Sequence, residues 1–405
     1  MKVAYVCEPQ LGGTFTFFLQ IRPALAALGI DFRCVPAVAG MDIGRTRFAG
    51  TDGVDALAEI PENPAKALAA LNAHLQKGGY DVVMTLPCGG LLGALLPMYL
   101  PPEFAVVVRV PMMTRGAYVP AREVAPWAGH FVAVSDRVAN DLRDSYGIAA
   151  DRLRVIYNGV PLASAPERRN GGDAGRPLRL IYTGRLSEME KGIFLFPPLM
   201  ANLKKAGISA RLTIVGNGPD HDELKSRFQR EHVLENTDFT GGLPQKKVAE
   251  LLLQHDIYLL TSRFEGCPNS LIEAMAAGCA CVASNIRDSV SRIVDDGRDG
   301  LLFRVGDVQE LTDAVAKLAR DPALRNRLGL AAREKVEQRF DIRHTAELYA
   351  AVLREAAASQ SKRAAPLSLS TFSVPKSFRA HWASWLPPPV KAWLRTLFER
   401  RGRSI

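Results

Sequence analysis

The strongest constraint on this chain is an alternation that runs through its first half and then starts again. Short, mostly continuous apolar runs at residues 2–7, 32–36, 81–86, 104–110, 131–134 and 153–157 are separated by longer stretches with helical spacing. Strands that are apolar on both faces must be covered on both, and a parallel sheet crossed by helices does this repeatedly. Residues 159–177, rich in Gly, Pro and Ala, have the composition of a linker. Beyond them the alternation resumes at 178–183, 211–215, 237–240, 256–260 and 279–283. The expectation is an α/β chain with two doubly wound parallel-sheet domains, 1–165 and 178–340, joined by a linker at 166–177. Ligands of such sheets bind outside the carboxyl ends of the strands, so two facing domains place their site in the cleft between them.

Composition narrows the class. At 405 residues, with 47% apolar and 23% charged residues, the chain suits a globular protein with two cores. No apolar run reaches the length of a membrane span. Met1 to Cys7 begins directly as a strand without the layout of a signal peptide, and the six cysteines are scattered. These features favour a reducing, cytoplasmic setting and structural thiols. The net charge of +9 comes almost entirely from the end of the chain: residues 359–405 hold nine basic residues and one acid, Glu399. The body is therefore nearly neutral, which argues against nucleic acid as a partner.

Chemistry-bearing residues gather after the strand ends. One stretch, Arg263-Phe264-Glu265-Gly266-Cys267-Pro268-Asn269-Ser270-Leu271-Ile272-Glu273, reads as a loop carrying Glu265 followed by a helix with Glu273 in its first turn. Ser270-x-x-Glu273 also fits a capping box, in which Glu273 would serve only its own helix start. After the first strand of the second half come Gly184, Arg185 and Lys191, a fork and a point charge suited to phosphate. The alternative there is a solvated loop with Glu188 and Glu190 as charge partners. Glycine turns at Gly12-Gly13, Gly216-x-Gly218 and Gly241-Gly242 can bring backbone N–H groups close to a ligand.

Taken in order, these residues resemble the retaining glycosyltransferases of family 4 (glycosyl transferases group 1), over roughly residues 1–358. The resemblance rests on Gly12-Gly13, Ser135, Asn158-Gly159-Val160, Gly184-Arg185-Leu186 with Lys191-Gly192, Gly216-x-Gly218-Pro219, and Glu265-Gly266 through Glu273-Ala274-Met275-Ala276-x-Gly278. It implies the GT-B fold of two facing Rossmann-like domains, the first on the acceptor side and the second binding a nucleotide diphosphate sugar. It further implies that Arg185 and Lys191 meet the diphosphate and that Glu265 holds the transferred sugar. Glu273 would bond the ribose hydroxyls, Gly266, Asn269 and Ser270 would complete the donor site, and Gly12-Gly13 would close over the donor. No metal or other cofactor is expected, and the acceptor would be a saccharide or a lipid-linked glycan. Residues 341–358 look like the family's closing helix, which returns to the first domain.

The chain departs from the family pattern in two places. Cys267-Pro268 stands where relatives carry Phe-Gly, and Pro268 has no N–H to offer. No histidine follows the run 104–110, which leaves Arg109 and Arg115 either to meet an acidic or phosphate-bearing acceptor or to serve the structure.

In the tail, residues 359–375 have the Ser/Ala/Pro-rich composition of a flexible segment. Apolar positions 390, 393, 394, 397 and 398, flanked by Lys391, Arg395 and Arg400, fit an amphipathic helix. Such a segment, within 376–405, suits an anionic membrane surface and peripheral attachment at its inner face, or packing on the first domain. Three functions remain open: a sugar transferase, an epimerase or phosphorylase of the same shape, and a non-catalytic sugar-nucleotide-binding protein held at a membrane.

Overall fold

In the computed structural model, which describes residues 1–9, 13–40, 50–162, 176–359 and 363–378, the alternation becomes two six-stranded sheets, all of whose strand pairs are parallel. One compact unit comprises Met1–Asn158 and the chain from Ile342 onward, and the other is Gly159–Asp341.

The first unit contains β1 (Lys2–Val6), β2 (Asp31–Val35), β3 (Val82–Thr85), β4 (Ala105–Val110), β5 (His130–Ala133) and β6 (Leu153–Val155), in the spatial order β2-β1-β3-β4-β5-β6. The helix Gly13–Ala27 buries Phe15, Phe17 and Phe18 against the sheet, where Tyr5 stacks on Phe32 with centroids 5.3 Å apart. The helix Ile342–Ala358 packs on the same layer through Tyr349, whose ring lies 5.2 Å from that of Phe17. Arg109 joins these pieces. It is fully buried, donates to Tyr349 Oη at 2.9 Å and to Asn158 Oδ1 at 2.7 Å, and lies 4.0 Å over the Phe17 ring. Of the two roles open to Arg109, the structure selects the internal one; Arg115 is exposed at the start of the helix Arg115–Glu123.

Residues 363–375 depart from expectation, since this stretch docks along the first unit. Ala364 N donates to Pro126 O at 2.8 Å, Leu367 N donates to Met98 O at 2.8 Å, and Ala365 O accepts from Trp127 Nε1 at 2.9 Å. Composition alone misreads it because its polar groups are satisfied by loops distant in sequence. The amphipathic pattern at 389–401 lies outside the described residues. Among the described residues no helix is long and apolar enough to cross a membrane.

The second unit contains β7 (Leu178–Thr183), β8 (Ala210–Val215), β9 (Thr237–Gly241), β10 (Ile257–Leu260), β11 (Ala280–Ser284) and β12 (Leu301–Phe303). Its order is β12-β11-β10-β7-β8-β9, the doubly wound arrangement in which chain direction reverses across the sheet between the first and fourth strands. The three-residue β12 is a strand that the sequence reading did not include. All cysteines are free, and Cys7, Cys34, Cys279 and Cys281 are buried.

Candidate active site

The reversal point of the second sheet decides which loops become neighbours. β7 and β10 pair directly, with Leu180 opposite Ile257 and Ile181 opposite Tyr258, so the loops after them emerge side by side. The loop after β7 leads into the short helix Glu188–Lys191, closed by Gly192 at φ 59°. A Cβ on Gly192 would stand 2.4 Å from Thr261 O, so the loops can approach this closely only over a glycine. Two hydrogen bonds then join them: the Thr261 Oγ1 hydroxyl donates to Lys191 O at 2.8 Å, and Arg263 N donates to Glu190 O at 2.8 Å. The glycine turns after β8 and β9 join the same edge. Gly216 N donates to Gly241 O at 2.9 Å and Leu186 N to Asn217 O at 3.0 Å, while a Cβ on Gly216 would fall 1.8 Å from Gly184 O.

On this frame Lys191 Nζ meets Glu265 Oε1 at 2.7 Å, and Ser262 Oγ donates to the same oxygen at 2.6 Å. The Glu265 side chain is 10% exposed and that of Lys191 23%, so their charges act in a medium less screening than bulk water. Among the described residues both hydrogen bonds go to Oε1, which leaves Oε2 as an acceptor. Glu188, offered above as a charge partner for this loop, instead receives Arg263 Nη2 at 2.5 Å and Phe194 N at 2.7 Å. The solvated-loop alternative therefore fails for Lys191. Arg185 is exposed and makes no ion pair among the described residues, while its carbonyl accepts from Tyr182 Oη at 2.8 Å.

The capping-box alternative fails as well. The helix Asn269–Ala276 has Pro268 at its N-cap and no side-chain cap. Ser270 is its second residue, with a hydroxyl that accepts from Tyr258 Oη at 2.7 Å, and Glu273 lies in the second turn rather than the first. Glu273 accepts from Gln245 Nε2 at 3.1 Å and lines a cavity of about 310 Å³ with Gln245, Lys246, Ala249 and Arg333. That cavity is not lined by Glu265, Lys191 or Arg185. Gly266 is held through its carbonyl by Ser289 Oγ at 3.1 Å. Gly13 opens the helix Gly13–Ala27 in the other unit, and Gly12 lies outside the described residues.

Three supporting residues escaped the sequence reading: Tyr182, Tyr258 and Ser262. Burial pushes both tyrosine pKa values up, so each phenol remains a hydrogen-bond donor beneath its loop. A tyrosine inside an otherwise apolar strand was the available signal, because a buried phenol needs a partner.

Residues 165–335 match the family model of the glycosyl transferases group 1, and residues 11–164 that of glycosyltransferase family 4. The chain belongs to the family 4 glycosyltransferases. Among curated family relatives, the glycogen synthase of Mycobacterium tuberculosis is 31% identical over 227 residues, covering 55% of this chain and 54% of that protein. The phosphatidyl-myo-inositol mannosyltransferase of Mycobacterium leprae is 30% identical over 232 residues, covering 57% and 60%. The chain thus spans little more than half the length of these curated relatives. The solved structure of Anabaena HepE in complex with UDP-glucose matches with a TM-score of 0.72 at 18% identity, covering 88% of this chain and 100% of that one. This likeness is one of fold, and the family 4 chain has the two Rossmann-like domains of the GT-B architecture.

Proposed function

We propose that the protein is a retaining glycosyltransferase that moves a sugar from a nucleotide diphosphate sugar to a saccharide or lipid-linked glycan acceptor. The observation that carries this reading is the Lys191–Glu265 contact at 2.7 Å, built where the second sheet reverses. A cation and a carboxylate held together there suit a donor that brings a diphosphate and a polyhydroxylated ring. Lys191 and Arg185 neutralise the charge that develops on the leaving nucleotide diphosphate, so transfer needs no metal ion. The open oxygen of Glu265 accepts from hydroxyls of the transferred sugar, and Glu273 accepts from the ribose diol. Gly266, Asn269 and Ser270 border the donor. HepE, whose structure holds UDP-glucose, supports a nucleotide sugar as donor. The basic segment 376–405 holds the enzyme peripherally against the anionic inner face of a membrane.

Thermal shift against a panel of nucleotide sugars tests donor binding, since a ligand of the native state raises the midpoint. NMR of the product's anomeric proton then tests retention. No shift with any member of the panel would overturn the reading. Sugar conversion without an acceptor would favour an epimerase, and dependence on inorganic phosphate a phosphorylase.

A further inference from the structure

The proposed role of Glu265 requires its carboxylate to keep one orientation while its neighbours change partners. Oε1 receives two donors, Lys191 Nζ at 2.7 Å and Ser262 Oγ at 2.6 Å. They differ in kind. Lys191 is a long, partly exposed cation that a bound diphosphate attracts. Ser262 is fully buried, three positions before Glu265 on the same loop, and among the described residues its hydroxyl makes no other hydrogen bond. A neutral, short, buried donor holds its place whether or not phosphate oxygens compete for the lysine.

We propose that Ser262 is the positioning residue of the site: its hydroxyl fixes Oε1 of Glu265 when Lys191 turns to the donor, and so aims Oε2 at the transferred sugar. The frame around it suits this duty. Neighbouring Thr261 is fully buried and donates to Lys191 O at 2.8 Å, and Arg263 N is held by Glu190 O at 2.8 Å. Ser262 therefore sits between two anchored residues and has little freedom to follow Glu265 if that side chain swings. A carboxylate held within a few tenths of an ångström is what a reaction at a sugar carbon needs, because small misplacements of a reacting partner are costly.

This inference rests on the transferase reading and is tested on the full chain with a donor and acceptor that the wild type turns over. Ser262→Ala is expected to lower kcat by roughly five- to tenfold while donor KM and Tm stay close to wild type, and Ser262→Thr, which keeps the hydroxyl, to recover most of the loss. In the Glu265→Gln background, Ser262→Ala should cause little further loss, since residues acting through one group are not additive. An unchanged kcat in Ser262→Ala, a rise in KM alone, or full additivity with Glu265→Gln would overturn the proposal. If instead the wild type transfers no sugar from any nucleotide donor, the transferase reading itself falls.

Discussion

Lys191 and Glu265 stand 74 positions apart in sequence and 2.7 Å apart in space. Neither side chain crosses a long distance to make the contact. β7 and β10 are sheet neighbours, each is followed at once by its loop, and Gly192 removes the side chain that would hold the loops apart. The pair is thus a product of strand order, and strand order supplies the tests.

Replacing the charged groups separates chemistry from folding. Glu265→Gln and Arg185→Ala are each expected to lower turnover by roughly tenfold or more, as removal of a group that acts on transition-state charge does, with an unchanged circular dichroism spectrum. Near-normal rates in both would refute these site assignments.

Glu273 offers a cleaner division, because its helix is not capped by a side chain. Glu273→Ala is expected to raise donor KM several-fold and to leave Tm within about 1 °C, whereas losing a true cap typically costs about 1 kcal/mol. A fall in Tm with normal donor affinity would return Glu273 to a structural role.

Gly192 should tolerate no side chain. With φ at 59° and Thr261 O only 2.4 Å from the added Cβ, Gly192→Ala is expected to cost about 1–3 kcal/mol, read as a lower midpoint in urea unfolding. The same change should also lower kcat, because the loops bearing Lys191 and Glu265 are forced apart. Wild-type stability would show that the loops can yield here.

A pH test concerns Asp256, just before β10. Burial works against its charge, but Arg176, at 2.8 Å to each carboxylate oxygen, and the Arg179 N–H at 2.9 Å outweigh burial and hold the pKa below the ordinary value. A carboxyl depressed on folding adds stability that is complete above its unfolded pKa of about 3.9 and is lost as pH falls through the folded value. Arg176→Ala should therefore lower Tm at pH 7, and the gap to wild type should begin to narrow below about pH 4 and vanish once the pH lies below the folded value. A gap independent of pH would assign the effect to packing.

Much of the fold was legible in the sequence because buried parallel strands must be apolar throughout. Eleven runs read as strands, most of them apolar, correspond to β1–β11, most with ends displaced by one or two residues. The partly exposed strands β2, β6 and β9 lie at sheet edges, but the order of the central strands was not legible, since runs buried on both faces look alike wherever they lie in the sheet. Arg109 shows the same limit on a smaller scale. From sequence, an arginine near the end of an apolar strand fits an anion site as well as an interior one. Tyr349, Asn158 and the Phe17 ring, brought to it by the helices and strands around β4, make it internal.

The stretch from Glu265 to Glu273 divides along the same line. Its residue types and spacing, read with Arg185 and Lys191, pointed to a carboxylate-and-cation site, and with the glycine turns and the other motifs in order they pointed to a family. What each carboxylate touches was decided by tertiary structure: Glu265 by a lysine and a buried serine, Glu273 by Gln245 from another helix. The reason is physical. Sequence sets what a side chain can bond, but a hydrogen bond reaches only about 3 Å, and the fold alone decides which groups come within that reach.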